Sequence, residues 1–181
     1  MAWFKKTRKP IESPDKASRV PEGLWVKCPS CGRALYHKDL VSNLQVCPHC
    51  AHHFRMSAAE RLGMLFDDGR WVEHDAGLRS TDPLNFTDTK PYSDRLATTI
   101  KKTGVNDAVL IGSGQIEGIP SVVAAMEYAF IGGSMGVVVG EKITRAAERA
   151  LDERVPLIVV SCSGGARMME GALSLMQMAK I

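Results

Sequence analysis

Apolar and polar positions follow helical spacing in two segments of the middle of the chain. Ser57 and Glu60 have the spacing of a capping box, and the apolar residues after them predict a short helix that closes near Gly69. A second helix is predicted from Ser93 to Gly104, after an irregular loop. Beyond Gly104 the hydrophobic period changes from that of a helix to that of a strand.

Two strand-like runs follow this change of period. They cover residues 108–116 and 119–128 and are joined at Glu117 and Gly118. An antiparallel hairpin is the simplest interpretation of two such runs with so short a connection.

A long helix and a buried strand are predicted next. The glycine-rich segment 132–136 leads into the helix, which Pro156 ends. Residues 157–163, LIVVSCS, begin with an apolar run that is typical of a strand buried on both faces, and residues 165–181 are helical again. This order of elements predicts an α/β core with repeated β-β-α character.

The last predicted helix has almost no polar face. A helix that is apolar all round has to be buried within something larger. We therefore expect either that the chain is a fragment or that a partner covers this helix. The apolar positions are Met168, Met169, Ala172, Leu173, Leu175, Met176, Met178, Ala179 and Ile181.

Composition places the chain among globular proteins. Of its 181 residues, 45% are apolar and 24% are charged. No segment approaches the roughly 18 uninterrupted apolar residues of a spanning helix, and the basic amino terminus lacks the apolar stretch of a signal peptide. We expect a soluble, cytoplasmic protein with no membrane partner.

The net charge of +3 hides a basic first third of the chain. Residues 1–27 carry seven basic and three acidic side chains. A basic arm can meet nucleic acid, an acidic partner or a phosphorylated ligand. A solvated, poorly ordered terminus is the commoner explanation.

Four of the five cysteines form two C-x2-C pairs separated by fifteen residues. This spacing predicts that Cys28, Cys31, Cys47 and Cys50 bind one structural zinc ion, with no open position for catalysis. A disulfide framework is the alternative, but it would need an oxidising compartment. Because four thiolates complete a tetrahedron, the histidines at positions 37, 49, 52 and 53 are expected to be exposed rather than ligands.

Gly164 and Gly165 interrupt the chain between the predicted buried strand and the last helix. Backbone N–H groups at such a turn can bind phosphate or stabilise the oxyanion of a carbonyl substrate. The alternative is a tight turn that needs glycine only for its dihedral angles. Gly132 and Gly133 have the same ambiguity, and neither pair fits a nucleotide-binding motif.

Three segments of the chain together resemble one protein family. Residues 26–62 contain both cysteine pairs, residues 127–143 read EYAFIGGSMGVVVGEKI, and residues 161–181 begin SCSGGARMMEG. In this order they resemble the β subunit of bacterial-type acetyl-CoA carboxylase carboxyltransferase. The resemblance covers the chain from Pro21 to its end.

The resemblance implies a small zinc ribbon followed by an α/β crotonase-like core of stacked β-β-α units, incomplete here. The corresponding division is a basic flexible arm at 1–23, a four-cysteine ribbon at 24–56 and the first part of a carboxyltransferase domain at 57–181. Family members continue well past the position of Ile181 and contain a second glycine pair that completes an oxyanion hole. The chain alone is therefore expected to be inactive.

The resemblance also implies a reaction and its partners. A carboxyl group would pass from carboxybiotin, held on a biotin carboxyl carrier protein, to acetyl-CoA and give malonyl-CoA. The implied partners are a carboxyltransferase α subunit, in an α2β2 heterotetramer, and a biotin carboxylase, which alone uses ATP. Gly164 and Gly165 match the family's first oxyanion-hole segment, and Gly132 and Gly133 are candidates for the lining of the CoA pocket.

Two other functions remain open at this point. A carboxyltransferase or decarboxylase for a different acyl-CoA would share the core chemistry, although the zinc ribbon favours the acetyl-CoA enzyme. A zinc-ribbon protein that binds nucleic acid would leave the apolar last two thirds without a purpose. Its phosphate contacts would come from Lys5, Lys6, Arg8, Lys9, Lys27, Arg33 and Lys38.

Overall fold

A computed structural model describes residues 23–181, which divide into two compact units. The first unit, called the ribbon unit, ends at Arg55, and the second, called the core unit, comprises Met56–Ile181. Within the described residues, no helix has both the length and the apolar character that crossing a bilayer requires. Four of the basic residues named above lie outside the described part of the chain: Lys5, Lys6, Arg8 and Lys9.

Short strands and one short helix form the ribbon unit. β1 (Trp25–Lys27) pairs antiparallel with β2 (Ala34–Tyr36), and α1 (His37–Ser42) follows directly. An isolated antiparallel bridge joins Val46 to His53. The unit therefore consists mainly of turns joined by a few backbone hydrogen bonds.

The core unit begins with the predicted capping box. Ser57 Oγ accepts the Glu60 N–H at 3.2 Å, and the Glu60 carboxylate accepts the Ser57 N–H at 2.8 Å. These reciprocal bonds satisfy N–H groups that the first turn of α2 (Ala58–Leu65) would otherwise leave unpaired. A 3-10 turn at Asp67–Gly69 closes the segment, as the hydrophobic pattern predicted.

The next two elements differ in how well the sequence indicated them. α3 (Tyr92–Thr103) begins one residue before the predicted start and ends at Gly104, whose φ of 75° suits glycine. β3 (Trp71–His74) was not indicated by the hydrophobic pattern. Its four residues are too few to show a period, and it is defined by its pairing with the following strand.

A mixed four-stranded sheet in the order β3-β4-β5-β6 organises the core unit. The predicted hairpin is confirmed, because β4 (Val109–Ile116) and β5 (Ile119–Met126) pair antiparallel in full register. The long helix α4 (Val137–Glu153) then leads to β6 (Leu157–Val160), which pairs parallel with β5.

The two faces of the hairpin pack against different helices. Alternate residues of β4 and β5 pack with α3 and α4 in one cluster, while Leu110, Val123 and Ala125 on the other face pack against Leu62 and Phe66. This alternation follows from the two-residue period of a strand. Helices therefore cover both faces of the central strands.

The prediction that residues 157–163 form a strand buried on both faces is wrong for this chain. Ile158 is 37% exposed and Val159 is 41% exposed. Among the described residues, β5 is the one strand that pairs with β6, so β6 lies at the edge of the sheet. Fewer neighbours cover an edge strand than a central one, whatever its composition.

The last helix also starts later than predicted. A 3-10 turn covers Met168–Glu170, and α5 (Ala172–Lys180) begins after Gly171, whose φ is 55° and ψ is −135°. The two side chains of α5 that are buried are polar, those of Ser174 and Gln177. From Met168 onward, six large apolar side chains remain exposed in this structure: Met168, Leu173, Leu175, Met176, Met178 and Ile181.

Candidate functional site

The four predicted zinc ligands converge in the ribbon unit. The Sγ atoms of Cys28 and Cys50 lie 3.7 Å apart, those of Cys31 and Cys47 lie 3.9 Å apart, and all four lie within 4.8 Å of one another. Zn–S bonds of about 2.3 Å in a tetrahedron place sulfur atoms about 3.8 Å apart. A disulfide needs about 2.05 Å. The donor set therefore fits a structural zinc ion and not a disulfide framework.

Two similar turns present these cysteines. After the first pair, the Gly32 N–H donates to the Cys28 carbonyl at 2.9 Å, and after the second pair the Ala51 N–H donates to the Cys47 carbonyl at the same distance. Both Gly32 and Ala51 have positive φ, which lets the chain turn back sharply enough for two sulfur atoms to face one ion.

The nearby histidines do not join the sulfur cluster. His49 Nδ1 lies 2.9 Å from Arg33 Nη1, and the His52 ring packs edge-on against Phe54. The metal-ligating cluster found in the described residues contains the four cysteines alone. This arrangement agrees with the prediction of a ligand set made only of cysteines.

In the core unit, the two glycine pairs that the sequence singled out lie against each other. The Gly164 N–H donates to the Gly132 carbonyl at 2.9 Å. A Cβ added to Gly133 would stand 2.1 Å from the Cys162 carbonyl oxygen, so the two backbones approach more closely than any side chain would allow. Residues 131–136 and 162–167 are here called the glycine-turn pair.

Further backbone bonds join the two segments of the glycine-turn pair. The Met135 N–H donates to the Gly165 carbonyl, and the Arg167 N–H donates to the Met135 carbonyl, each at 2.8 Å. These bonds form an isolated parallel bridge between Met135 and Ala166. Residues about thirty positions apart in the sequence are thus fixed as one structural element.

The prediction of free N–H groups at the start of a helix needs correction. α5 begins only at Ala172, so Gly164 and Gly165 do not lie at its first turn. The Gly164 N–H is bound to Gly132, as described above. The Gly165 N–H is bound to Ser163 Oγ at 3.0 Å, a partner that can rotate away. Gly165 is therefore the pair's candidate N–H donor, and both glycines are exposed.

The helix end that does lie at this site belongs to α4, and a carboxylate already occupies it. Glu170 Oε2 accepts the Val137 N–H at 2.6 Å. A Cβ at Gly136 would lie 2.6 Å from the same oxygen, so glycine is needed there for the carboxylate to come so close. The positive end of the α4 dipole stabilises this buried negative charge.

Sequence reasoning missed the ionic network that contacts the glycine-turn pair. Arg167 and Asp107 are fully buried and form an ion pair of 2.7 Å, and Glu170 is buried beside them. Burial, the largest single effect, would lower the pKa of Arg167, but the hydrogen bonds that Arg167 donates to Asp107, the charge of that carboxylate and the contact with Tyr92 together hold the pKa above its ordinary value. The one signal in the sequence was an Arg and a Glu three residues apart within a segment rich in methionine.

Comparison with protein families identifies the core unit. A family described as "Carboxyl transferase domain" matches residues 55–181. The chain belongs to the carboxyl transferase domain family. A second family, described as "Acetyl-CoA carboxylase zinc finger domain", matches residues 25–50, which contain all four cysteines. The order of a ribbon followed by a carboxyl transferase core agrees with the order predicted from the sequence.

Similar curated proteins share one description. The chain is 54% identical over 181 residues to an acetyl-coenzyme A carboxylase carboxyl transferase subunit beta of Citrifermentans bemidjiense, covering 99% of this chain and 64% of that protein. It is 51% identical to the protein of the same description from Trichodesmium erythraeum, covering 99% of this chain and 56% of that protein. The chain thus spans less than two thirds of the length of these relatives.

Solved structures of a transcarboxylase and of a malonate decarboxylase share the fold of most of this chain. Transcarboxylase 12S with hydrolysed methylmalonyl-coenzyme A bound matches 70% of this chain and 22% of its own, with a TM-score of 0.56 and 29% identity. A Pseudomonas malonate decarboxylase hetero-tetramer in complex with malonate matches 70% of this chain and 44% of its own, with a TM-score of 0.53 and 30% identity. The predicted crotonase-like core after a zinc ribbon is confirmed.

Proposed function

We propose that this chain is part of the carboxyltransferase component of acetyl-CoA carboxylase. It would transfer a carboxyl group from carboxybiotin on a biotin carrier protein to acetyl-CoA, forming malonyl-CoA for fatty acid biosynthesis. The observation that carries the proposal is the glycine-turn pair, an exposed backbone turn within a carboxyl transferase fold. The zinc site of the ribbon unit would be structural and would take no part in this chemistry.

This reaction requires a hydrogen-bond donor that stabilises negative charge on the oxygen of a thioester. Release of CO2 from carboxybiotin would leave biotin free to take a proton from the methyl carbon of acetyl-CoA, and the resulting carbanion would attack the CO2 to give malonyl-CoA. As the proton leaves, negative charge develops on the thioester oxygen. A preorganised peptide N–H stabilises such charge without having to reorient. The proposed donor is the Gly165 N–H, which Ser163 Oγ holds at 3.0 Å and would release to the substrate oxygen.

Other groups of the glycine-turn pair would hold this donor in place. The Gly164 N–H fastens its turn to Gly132, and the contact between Gly133 and the Cys162 carbonyl leaves no free space between the segments. Gly132 and Gly133 remain candidates for the lining of the CoA pocket. No side chain of this chain is proposed as the base, because biotin freed of its carboxyl group supplies one.

The proposal includes partners that would complete the enzyme. They are a carboxyltransferase α subunit in an α2β2 heterotetramer, a biotin carboxyl carrier protein and a biotin carboxylase that uses the ATP, all in the cytoplasm. The exposed apolar side chains of α5 and β6 support contact with further polypeptide, since exposed apolar patches commonly mark interaction surfaces.

The alternatives have less support. Methylmalonyl-coenzyme A and malonate occur in the solved structures at 29% and 30% identity, whereas the relatives at 54% and 51% carry the acetyl-coenzyme A carboxylase description. Acetyl-CoA is therefore the favoured acceptor. Of the seven basic residues on which nucleic-acid binding would rest, the structure describes Lys27, Arg33 and Lys38, and this function would leave the carboxyl transferase fold unused.

Replacing Gly165 in the full-length subunit tests the proposal. Gly165→Pro deletes the N–H, whereas Gly165→Ala keeps it, and both replacements strain a backbone whose φ is 120°. Assembled with the α subunit, the proline variant should lose about 10²–10³ in turnover relative to the alanine variant. The zinc content should stay unchanged in both variants. Equal turnover of the two, or a wild-type complex that makes no malonyl-CoA, would refute the assignment.

A further inference from the structure

Arg167 joins the glycine-turn pair to the interior of the core unit. On the side of the turn, its Nη2 donates to the Ser134 carbonyl at 2.8 Å and its Nε donates to Ser134 Oγ at 3.2 Å. Ser134 lies between Gly133 and Met135, in the middle of the first segment. Arg167 therefore binds this segment through three groups: Nε, Nη2 and its backbone N–H.

The other side of the same guanidinium is anchored in the core. Nη2 and Nη1 donate to the two oxygens of Asp107 at 2.7 and 3.2 Å. Nη1 also lies 2.9 Å from Ser80 Oγ and 3.1 Å from the Tyr92 hydroxyl. Asp107 lies two residues before the start of the hairpin strand β4, so the arginine connects the glycine-turn pair to the central sheet.

Glu170 completes the connection from the opposite direction. It accepts hydrogen bonds from the Tyr92 hydroxyl at 2.6 Å and from Arg167 Nη1 at 3.2 Å, while its other oxygen binds the start of α4. The first segment of the glycine-turn pair is thus held at Ser134 by Arg167 and just beyond its end, at Val137, by Glu170. Both side chains are buried, so water does not compete for these bonds.

We propose that Arg167 is a positioning residue for carboxyl transfer: it sets the separation of the two glycine turns and thereby the place of the Gly165 N–H. This inference rests on the proposed function. The Gly165 carbonyl accepts a bond from Met135, the neighbour of Ser134, so a shift of the first segment is passed directly to Gly165. A donor displaced by about 1 Å can cost on the order of 10² in rate.

The planar fork of arginine suits this position, whereas lysine does not. One guanidinium reaches Asp107 and both the carbonyl and the hydroxyl of Ser134 in fixed directions. A lysine ammonium would keep the charge beside Asp107 and Glu170, but it is a single point with no fork. Arg167→Lys therefore removes the directed contacts with Ser134 while it keeps the positive charge beside Asp107 and Glu170.

The test uses full-length subunits assembled with the α subunit, with turnover counted per folded molecule. Arg167→Lys should lower kcat for malonyl-CoA formation about 10²-fold, while KM for acetyl-CoA changes far less. That split indicates an interaction that matters mainly in the transition state. The control is Leu62→Ala, which destabilises the opposite face of the sheet and should leave kcat unchanged.

A pair of serine variants decides the matter should Arg167→Lys fail to fold. Ser134→Ala removes one bond to the arginine on the side of the turn. Ser80→Ala removes a similar bond on the core side, and with it the contacts of 2.6 Å to Asp107 and 2.9 Å to Glu170. If Arg167 positions the turn, Ser134→Ala should lower kcat more than Ser80→Ala does. Ser80→Ala should nevertheless lower the midpoint of thermal unfolding more than Ser134→Ala does.

The outcomes separate this inference from the proposed function. If Arg167→Lys loses no more kcat than Leu62→Ala, or if kcat in the serine pair follows stability, the positioning role is overturned while carboxyl transfer stands. A wild-type complex without carboxyl transfer would overturn both together.

Discussion

The close approach of Gly133 to the opposite segment of the glycine-turn pair allows a matched comparison with its neighbour Gly132. The two glycines have nearly the same φ, 65° at Gly132 and 66° at Gly133. They differ in surroundings, because a Cβ at Gly132 meets nothing within 4 Å, whereas a Cβ at Gly133 would lie 2.1 Å from the Cys162 carbonyl oxygen. Alanine at each position therefore shares the dihedral strain and differs only in the overlap.

The free energies follow from these two contributions. A left-handed conformation costs an alanine about 1–2 kcal/mol, which is the whole expected effect of Gly132→Ala. At Gly133 the overlap forces the segments apart by about 1 Å, and overpacking of this kind adds about 1–3 kcal/mol. Gly133→Ala should therefore destabilise the full-length subunit by about 2–5 kcal/mol in all.

Urea unfolding followed by circular dichroism measures the difference between the two variants. Both should keep the slope of the wild type, and the midpoint should fall further for Gly133→Ala. In the assembled enzyme, Gly133→Ala should also lose about 10² in turnover, because the proposed donor at Gly165 moves with its segment. Equal midpoints for the two variants would refute the claim that the segments are in contact at Gly133.

Two further predictions concern the rest of the chain. Cys28→Ser, or a strong chelator, should remove the bound zinc and unfold the ribbon unit, because structural zinc supplies about 10–16 kcal/mol of folding free energy. Hydrogen exchange at residues 24–55 should then become fast. Slow exchange that persists there would contradict the zinc site. Lys142 is buried with one bond, 3.3 Å from its Nζ to the Val109 carbonyl, and burial lowers its pKa. Between the lowered pKa of Lys142 in the folded chain and its value of about 10.4 in the unfolded chain, the unfolded chain binds more protons. The free energy of unfolding of the wild type therefore rises with pH across this range. Lys142→Met should accordingly raise the unfolding free energy at neutral pH, with a gain that shrinks on approach to that value; a gain independent of pH would contradict the argument.

Features made by neighbours in the sequence could be predicted from the sequence. The capping box at Ser57 and the hairpin turn at Glu117 and Gly118 depend on residues at most three positions apart. The zinc ligands were also predictable, because each C-x2-C pair is a local turn and the chemistry of zinc restricts how two pairs can combine. Membership of the family followed from motifs of the same local kind.

Features that join distant residues needed the tertiary structure. The sequence presents the two glycine pairs as separate turns of equal ambiguity, and nothing local shows that Gly164 binds Gly132. The network around Arg167 draws on Ser80, Tyr92 and Asp107, and no short motif unites them. In the same way, β3 is a strand because β4 pairs with it.

The amino-acid sequence by itself determined the ribbon, the hairpin and the types of residue available for chemistry, because spacing and period act over one or two turns of chain. The tertiary structure decided which N–H groups are already bound and which buried charges hold the two glycine turns together. Among the described residues, it also decided that β6 has β5 as its one paired neighbour and that α5 buries its polar side chains. Those properties depend on which surfaces meet when the chain folds, and periodicity within one segment carries no information about its neighbours.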